Sequence, residues 1–256
     1  MLDITIATCS DCGQRDANED ALRTGLAGAA RYAVLSDGAG GHERGAEASR
    51  RVVDHIEAVL RESPFAPERL TQAVLSAHAE LQREQMGAQG VHRMHATVVV
   101  LWIDGRGDRA IWSHVGDSRL YRLRYGAIDA MTNDDSVVQR LLESGALTQR
   151  QARSHPMKNQ LLAAMGMQDN VEPHTPAVAV ALEDGDAFLL CTDGWWSVLD
   201  DTDMVRTLCD TETPQAWLDA MSELIRLRRD PEQDNFSAVA MWVSDPSEST
   251  RSMHDA

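Results

Sequence analysis

Four short segments that carry aspartate lie far apart in the chain, and each adjoins a run of apolar residues. The segments are residues 15–20, 36–41, 191–194 and 234–237. Strand ends from distant parts of a chain can meet at one point, and carboxylates that meet there repel one another unless a cation holds them. The pattern therefore predicts a metal-dependent enzyme. Arg15, beside the first cluster, predicts an anionic substrate.

The residue types at these positions favour hard divalent cations. Mg²⁺ and Mn²⁺ prefer oxygen ligands in near-octahedral geometry and keep several water ligands. Asp37 and Asp193 each end an apolar strand and Asp234 opens one, so three carboxylates could hold two ions roughly 3.5–4 Å apart. Gly38 would let its carbonyl approach a metal, because no side chain intervenes. A water between two such ions would lose a proton near neutral pH and become a nucleophile.

Composition excludes several other classes of function. The 256-residue chain has 24 basic and 40 acidic residues and a net charge of −16, so it lacks the basic field that a nucleic-acid partner needs. The single lysine, Lys158, does not follow a glycine-rich loop, which excludes a Walker-type nucleotide site. No apolar run reaches the roughly 18 residues of a membrane span, and no signal peptide is visible. We therefore expect a cytoplasmic protein without a membrane partner, and a monomer.

Hydrophobic periodicity predicts the elements that must position the aspartates. Short runs rich in β-branched and aromatic residues predict seven strands, and apolar residues at three- and four-residue spacing predict three long helices. Shorter helical pieces are predicted at residues 136–144 and 160–165. The predicted strands are 4–8, 32–36, 97–103, 110–114, 120–124, 187–191 and 236–243, and the predicted long helices are 46–61, 67–85 and 214–229.

The order of these elements predicts an α+β fold. Neighbouring strands joined by short loops favour antiparallel pairing, and helices grouped in two places favour layering over an alternating parallel fold. The two groups of helices could cover opposite faces of a sheet sandwich. One domain is predicted for residues 1–243, and the polar residues 244–256 are predicted to form a disordered C-terminal tail.

Six short motifs carry a family resemblance. The chain resembles the metal-dependent serine/threonine phosphatases, the PP2C or PPM family, from about residue 13 to residue 243. One such motif is weak evidence, whereas six in the family's order are specific. The most specific is the sequence His-Val-Gly-Asp-Ser-Arg at residues 114–119. The six motifs lie at residues 15–20, 37–41, 116–119, 132–136, 193–194 and 234–235.

The resemblance implies both a fold and a reaction. The fold is a four-layer α-β-β-α sandwich of two antiparallel sheets flanked by helices. The reaction is hydrolysis of phosphoserine and phosphothreonine in proteins without a phosphoenzyme, by a hydroxide that bridges two metal ions. The implied cofactors are two core Mn²⁺ or Mg²⁺ ions, with a third, weaker ion in bacterial members of the family.

The resemblance also implies roles for individual residues. Arg15 resembles the arginine that grips the substrate phosphate, and Asp37 resembles the carboxylate that bridges both core ions, so these are the implied catalytic residues. The other implied ligands are Asp193 and Asp234 for the first ion, Glu19, Asp20 and the Gly38 carbonyl for the second, and Asp117 for the third.

The chain departs from the family pattern at three positions. Ala39 stands where eukaryotic members place a histidine that is proposed as the general acid, and His42, three residues on, is a candidate proton donor. Asp135 stands where many bacterial relatives have histidine in the flap, which would alter substrate access. Ser197 replaces an acid that several relatives use in metal binding. These departures bear on the third ion and on the leaving group, and the core ligand set is unaffected.

The resemblance extends to a biological role. Residues 36–45 and 193–196 are similar to stand-alone phosphatases that accompany type VI secretion kinases. The expected partners are phosphoprotein substrates, namely a bacterial serine/threonine kinase and its forkhead-associated target. Two alternatives stay open: a phosphatase of an anti-anti-sigma factor, and a catalytically weak module that binds a phosphorylated partner.

Several motifs also have simpler interpretations. Residues 18–20 could form a solvated turn, and residues 38–41 could form a flexible loop before a helix. Cys9 and Cys12 have the spacing of a zinc or redox pair, but no second pair completes a zinc set, so reduced thiols are expected. The tryptophan pair at residues 195–196 could line the cleft, pack in the core or contact a partner.

Overall fold

The computed structural model describes residues 1–39, 43–85, 93–153 and 155–246 of the chain. Its strands form two antiparallel sheets of five strands each, and two further short strands pair beside them. Strands and helices are numbered below in chain order.

The first sheet joins the two ends of the chain. Its two N- and C-terminal strands pair along nine residues, from Asp3 opposite Ser244 to Asp11 opposite Phe236. The remaining strands follow on the far side of the C-terminal strand. The spatial order is β1 (Asp3–Asp11), β12 (Phe236–Ser244), β11 (Ala187–Cys191), β8 (Arg119–Arg124) and β9 (Ala127–Met131).

The second sheet is built from the first half of the chain, with one short strand added at its edge. Its spatial order is β10 (Val180–Ala181), β7 (Arg109–Val115), β6 (Val98–Ile103), β3 (Ala30–Ser36) and β2 (Ala21–Ala27). The separate pair consists of β4 (Gly38–Ala39) and β5 (His95–Ala96).

The core has one layer between the sheets and one layer on each outer face. β6 is buried along its whole length, and its successive side chains face opposite sides because strand side chains alternate. Leu101 belongs to the cluster that includes Phe188 of the facing sheet, whereas Val100 belongs to the cluster that includes Val52 of the covering helices. Burial on both faces explains why the β6 sequence is apolar without alternation.

Helices cover the outer face of each sheet, which completes the four layers. The face of the second sheet is covered by α1 (Glu43–Glu62) and α2 (Pro67–Glu84), and that of the first by α6 (Asp201–Cys209) and α7 (Pro214–Arg228). The predicted α+β fold, an α-β-β-α sandwich, is therefore confirmed. Three shorter helices lie in the connections: α3 (Val137–Glu143), α4 (Gln149–Arg153) and α5 (Asp193–Trp196).

Local sequence accounts for the position of α7. Thr213 caps the helix by accepting a hydrogen bond from the Ala216 amide at 3.1 Å, and Pro214 occupies the first turn, where no amide donor is needed. Trp217 and Met221 are fully buried four residues apart and face the first sheet. The predicted long helices and the predicted strands are confirmed with small shifts at their ends.

The helix predicted at residues 160–165 is wrong. The segment is extended: Leu161 forms a bridge with Ser136, and Met165 forms one with Ala96. The Met165 amide donates to the Ala96 carbonyl at 2.7 Å, so the backbone pairs with β5 instead of with its own preceding turn. Five apolar residues are too few to stabilise a helix against such pairing.

Among the elements that the sequence does not predict are β2, β9 and α6. β2 and β9 are edge strands of the two sheets. Edge strands are partly exposed and carry polar residues, so they lack the dense apolar signal of a central strand. α6 begins at a capping box between Asp200 and Asp203, which a polar sequence can form without long apolar periodicity.

The C-terminal region is described only in part. Ser244 ends β12, and residues 247–256 of the predicted tail lie outside the described residues. The single domain over residues 1–243 stays a prediction. None of the helices in the described ranges has the length and apolar character needed to cross a membrane.

Candidate active site

A cleft of about 470 Å³ opens where strand ends of the two sheets meet. Asp37 directly follows β3, and Asp117 lies between β7 and β8. Asp193 is the first residue of α5, two positions after the end of β11. Asp20 directly precedes β2, and His42 lies outside the described residues. The predicted site residues that line the cleft are Arg15, Glu19, Asp37, Gly38, Asp117, Asp193 and Asp234.

Thr97 fixes the backbone of Asp37. Its Oγ1 accepts a hydrogen bond from the Asp37 amide at 3.0 Å, and its own amide donates to the Asp37 carbonyl at 2.8 Å. Thr97 Oγ1 also lies 2.6 Å from Ser118 Oγ. The loop that carries Asp117 is thereby tied to the one that carries Asp37. Thr97 was missed from the sequence, where it looks like an ordinary strand residue.

Close backbone packing requires glycine at position 38. A Cβ on Gly38 would collide with the Gly45 carbonyl, and a Cβ on Gly45 would collide with the Glu19 carboxylate. The Gly38 amide donates to the Glu19 carbonyl at 3.2 Å. The first turn of α1 therefore packs directly against residues 19 and 38 and sets the width of the cleft there.

Asn235 joins the N-terminal loop to the Asp234 loop. Its Oδ1 accepts from the Glu19 amide at 2.8 Å, and its Nδ2 donates to the carbonyls of Cys12 and Ala17, both at 2.9 Å. All three bonds span more than 200 residues of sequence. The sequence marked Asn235 as part of a motif, and the structure shows that it positions Glu19.

Asp20 lies beneath the cleft and has one unpaired oxygen. Its Oδ2 accepts from Thr192 Oγ1 at 3.0 Å, whereas its Oδ1 is buried and has no hydrogen-bond partner among the described residues. A buried carboxylate oxygen without a partner is costly. Residues 18–20 do precede a strand, as a solvated turn would, but this side chain turns inward.

Burial, together with mutual repulsion, raises the pKa values of the clustered carboxyls. Burial, followed by the charges of Asp20 and Asp193, raises the pKa of Asp37 well above its ordinary value. Burial and the charges of Asp193 and Asp234 raise the pKa of Asp20 to about 7, against hydrogen bonds that lower it. The pKa values of Asp193 and Asp117 are also raised, with burial the largest cause. The positive charges nearby do not offset these effects.

The residues present fit divalent cations. The donor set consists of carboxylate oxygens and a glycine carbonyl, the ligands that Mg²⁺ and Mn²⁺ prefer. Cations would supply the partner that Asp20 Oδ1 lacks and would remove the repulsion that raises the pKa of Asp37. The cluster could therefore hold metal ions with several ligands already in place.

Arg15 places a positive charge at the mouth of the cleft. Its Nη2 donates to Asp234 Oδ2 at 2.8 Å, and its side chain is 55% exposed. A guanidinium binds tetrahedral oxyanions through paired N–H donors. An anion held by Arg15 would lie beside the carboxylate cluster.

Trp196 forms a hydrogen bond with the backbone of the loop that carries Asp117. Its Nε1 donates to the Asp117 carbonyl at 2.9 Å, and the guanidinium of Arg119 lies 3.6 Å from its ring centroid. Arg119 is held by two hydrogen bonds of 2.8 Å to Asp134. Trp195 is fully buried in the core. The two tryptophans therefore have different environments, a distinction the sequence left open.

A second cleft of about 560 Å³ adjoins the first and shares Arg15, Asp193 and Asp234 with it. Ser197, one of the departures from the family pattern, lines this second cleft. Asp135, another departure, is absent from the described residues that line either cleft. All four cysteines of the chain are free thiols, as expected.

Residues 11–232 of the chain match the family model described as Protein phosphatase 2C. The chain belongs to the protein phosphatase 2C family. Among relatives in the family, protein phosphatase PhpP of Streptococcus pneumoniae is 30% identical over 227 residues, which cover 86% of this chain and 89% of PhpP. The resemblance to serine/threonine phosphatases of bacterial type is thereby confirmed.

Solved structures of the family share this fold. The catalytic domain of serine/threonine protein phosphatase PstP, solved in complex with two manganese ions, aligns with a TM-score of 0.82 at 27% identity and covers 96% of this chain and 100% of that one. PppA, described as a key regulatory component of T6SS in Pseudomonas aeruginosa, aligns with a TM-score of 0.75 at 30% identity, over 94% of this chain and 97% of PppA.

Proposed function

We propose that this phosphatase is metal-dependent and hydrolyses phosphoserine and phosphothreonine in protein substrates at the carboxylate cleft. The convergence of Asp20, Asp37 and Asp193, with pKa values raised by burial and mutual repulsion, carries the proposal. Arg15 lines the same cleft. A site with this excess of negative charge binds a phosphate dianion only when cations compensate the repulsion.

Two Mn²⁺ or Mg²⁺ ions are the proposed cofactors, with a third ion of lower affinity. The structure of PstP with two manganese ions supports the two core ions. When bound, such ions supply the nucleophile by lowering the pKa of a water and neutralise charge on the phosphoryl oxygens. The proposed ligands are Asp37 for both core ions, Asp193 and Asp234 for the first, Glu19, Asp20 and the Gly38 carbonyl for the second, and Asp117 for the third.

The chain itself binds and orients the substrate phosphate. Arg15 would hold two equatorial oxygens, while its bond to Asp234 keeps the guanidinium directed along the cleft. This places phosphorus for in-line attack and stabilises the charge that develops on those oxygens. The bond that breaks joins phosphorus to the serine or threonine oxygen.

The departing alkoxide must receive a proton. The position of the eukaryotic histidine is Ala39, and no histidine is among the described residues that line the cleft. His42, the candidate proton donor, lies outside the described ranges. We infer that water in the open cleft protonates the leaving group.

Phosphate release from a phosphothreonine peptide tests the proposal. Turnover is expected with Mn²⁺, is expected to stop with EDTA, and is expected to be lost in Asp37→Asn. The matched control is Asp219→Asn, which makes the same chemical change on the exposed face of α7 and should keep full turnover. Folded protein that is inactive in both Mn²⁺ and Mg²⁺ would refute hydrolysis supported by these ions. Equal activity in EDTA would refute the need for a metal.

We also propose that the protein opposes a bacterial serine/threonine kinase in type VI secretion control, with a forkhead-associated protein as a substrate. Its similarity to PppA over nearly the whole of both chains supports this role. Deletion of the gene should raise threonine phosphorylation of that substrate, and the Asp37→Asn protein should fail to restore it. Unchanged phosphorylation after deletion would argue against this role and leave the chemistry intact.

We infer a monomer that acts through a single domain. The proposed site residues all come from one chain, and no second copy is needed to complete the cleft. Light scattering should give the chain mass of 28.2 kDa. A larger mass that depends on concentration would contradict a monomer.

A further inference from the structure

A cluster of two histidines and one aspartate lies apart from the carboxylate cleft. One potential ligand atom from each of His114, Asp135 and His174 lies within 4.8 Å of the other two. None of the three is among the described residues that line either cleft. We propose that these residues form a separate binding site for a transition-metal ion such as Zn²⁺.

His114 offers a nitrogen lone pair that nothing else uses. Its Nε2 lies 2.8 Å from the Asn133 carbonyl. A carbonyl can only accept, so Nε2 carries the hydrogen and Nδ1 of the neutral ring is bare. Nδ1 is buried and has no hydrogen-bond partner among the described residues, and the side chain is only 4% exposed. Burial lowers the pKa of His114, which keeps the ring neutral at pH 7.

Backbone hydrogen bonds hold the other two residues against β7. The His174 amide donates to the His114 carbonyl at 3.1 Å. Asp135 is tied to Gly116 twice: its Oδ2 accepts from the Gly116 amide at 2.9 Å, and its own amide donates to the Gly116 carbonyl at 2.9 Å. The cluster therefore does not depend on side-chain contacts alone for its geometry.

Asp135 and His174 already form one edge of the site. Asp135 Oδ1 accepts a hydrogen bond from His174 Nε2 at 2.8 Å, so the proton on Nε2 must pass to Nδ1 of the ring or to solvent when an ion binds between the two atoms. In a four-coordinate site with bonds of 2.0–2.2 Å, ligand atoms lie about 3.3 Å apart, so this pair has nearly the required separation. Two imidazoles and a carboxylate leave a fourth position open for water, as in many zinc sites.

The ligand types favour a transition metal over the ions expected in the cleft. Neutral imidazole nitrogen is a good ligand for Zn²⁺ and a poor one for Mg²⁺, which selects oxygen. Asp135 supplies the negative charge of the site, whereas the nearby Asp134 is already paired with Arg119.

Binding requires one movement that the structure allows. The rings of His114 and His174 are stacked, with centroids 4.8 Å apart and an angle of 23° between planes. Stacked rings do not direct their lone pairs at one point, so the His174 ring must tilt out of the stack. Its side chain is 53% exposed, so it has room to tilt. An ion bound there would clamp residues 133–136 and His174 onto the end of β7, close to Asp117.

Zn²⁺ binding measured in excess Mg²⁺ tests this site without reference to turnover. Mg²⁺ saturates the oxygen sites, and imidazole NMR resonances then report on Zn²⁺ at nitrogen. In the wild type, Zn²⁺ should shift the resonances of His114 and His174 with a stoichiometry of one ion. Co²⁺ in place of Zn²⁺ should give the visible absorption of a four-coordinate ion with nitrogen ligands.

His174→Ala removes a ligand that is half exposed, so the variant should fold. It should bind Zn²⁺ at least tenfold more weakly. Asp135→Asn, which keeps an acceptor for the Gly116 amide, should weaken binding as well. The matched control is His155→Ala, another histidine of the same region outside the cluster, and it should bind as the wild type does. Unshifted His114 and His174 resonances, or equal affinity in wild type and His174→Ala, would overturn the proposal.

Discussion

Two Asp-Gly pairs follow neighbouring antiparallel strands of the same sheet, and the pKa values of their aspartates shift in opposite directions. Asp37 follows β3 and Asp104 follows β6. Burial raises the pKa of Asp37, and neighbouring carboxylates raise it further. Burial acts on Asp104 in the same direction, but hydrogen bonds from the Asp108 amide and Arg109 outweigh it and lower the pKa.

The hydrogen-bond partners of the two side chains also differ. Asp104 Oδ1 accepts from the amides of Arg106 and Asp108, at 3.2 and 3.1 Å, and Oδ2 accepts from Arg109 at 3.1 Å. A carboxylate paired in this way stabilises a hairpin loop. Asp37 lies near other carboxylates in the cleft, and their charges oppose its ionisation. The same dipeptide belongs to a hairpin loop in one place and to the proposed metal site in the other.

The largest expected effect comes from exchanging each aspartate for asparagine. Asp37→Asn should lower phosphate release by about 10³-fold or more, because the loss of a shared ligand removes several kcal/mol of transition-state stabilisation. It should leave metal-free stability unchanged or raised. Asp104→Asn should keep turnover and lose about 1–3 kcal/mol of unfolding free energy. The reverse pattern, with activity lost only in Asp104→Asn, would contradict the assignment of activity to Asp37 and of stability to Asp104.

The pH dependence of stability should differ between metal-free and metal-bound protein. The pKa of Asp20 is about 7 when folded, against an ordinary value of 3.8. Between these values the folded state binds a proton that the unfolded state does not, so in EDTA the unfolding free energy should rise as pH falls from about 7 toward 4. The slope is about 1.4 kcal/mol per pH unit for one fully titrating group.

In Mn²⁺ the trend should reverse. Protons compete with the ion for the same carboxylates, so the added stability should decline as pH falls. Denaturant unfolding in both conditions measures the two slopes. Identical slopes with and without Mn²⁺ would mean that the cluster does not bind the ion.

Substitutions of Arg15, at the cleft, and of Arg109, at the Asp104 hairpin, should differ in their effect on kcat/KM. Arg15→Lys should lower kcat/KM about tenfold to a hundredfold, because lysine cannot offer paired donors to a phosphate and charged hydrogen bonds contribute about 1.5–3 kcal/mol. Arg109→Lys, at the Asp104 hairpin, should leave kcat/KM unchanged. Steady-state kinetics with a phosphothreonine peptide makes the comparison. Equal kinetics in Arg15→Lys and wild type would remove Arg15 from phosphate binding.

The smallest expected effect concerns the tryptophans. Trp196→Phe removes the donor to the Asp117 carbonyl and should cost about 0.5–1.5 kcal/mol of unfolding free energy. It should also lower turnover at low Mn²⁺ concentration, so that more Mn²⁺ is needed for half-maximal activity. Trp195→Phe is the matched control, since Trp195 Nε1 has no hydrogen-bond partner among the described residues. A Mn²⁺ response that is the same in both variants would show that Trp196 does not position Asp117.

Sequence patterns predicted most of the central elements and none of their contacts across the sandwich. β6 and α7 were predicted well because strong apolar periodicity reports burial directly. The edge strands β2 and β9 were missed, since exposure weakens that signal. Residues 160–165 were assigned to a helix, but pairing with Ala96 made them extended.

The family and the layered fold could be predicted from the sequence, because the motifs and the hydrophobic periods are local properties of the chain. The contacts of the individual site residues could be read only from the tertiary structure. It brought Thr192 to Asp20 across 172 positions, gave Asn235 and Thr97 their roles, and stacked His114 against His174. A side chain's pKa and its partners depend on what folding places within a few ångströms, and residues far apart in sequence supply most of those neighbours here.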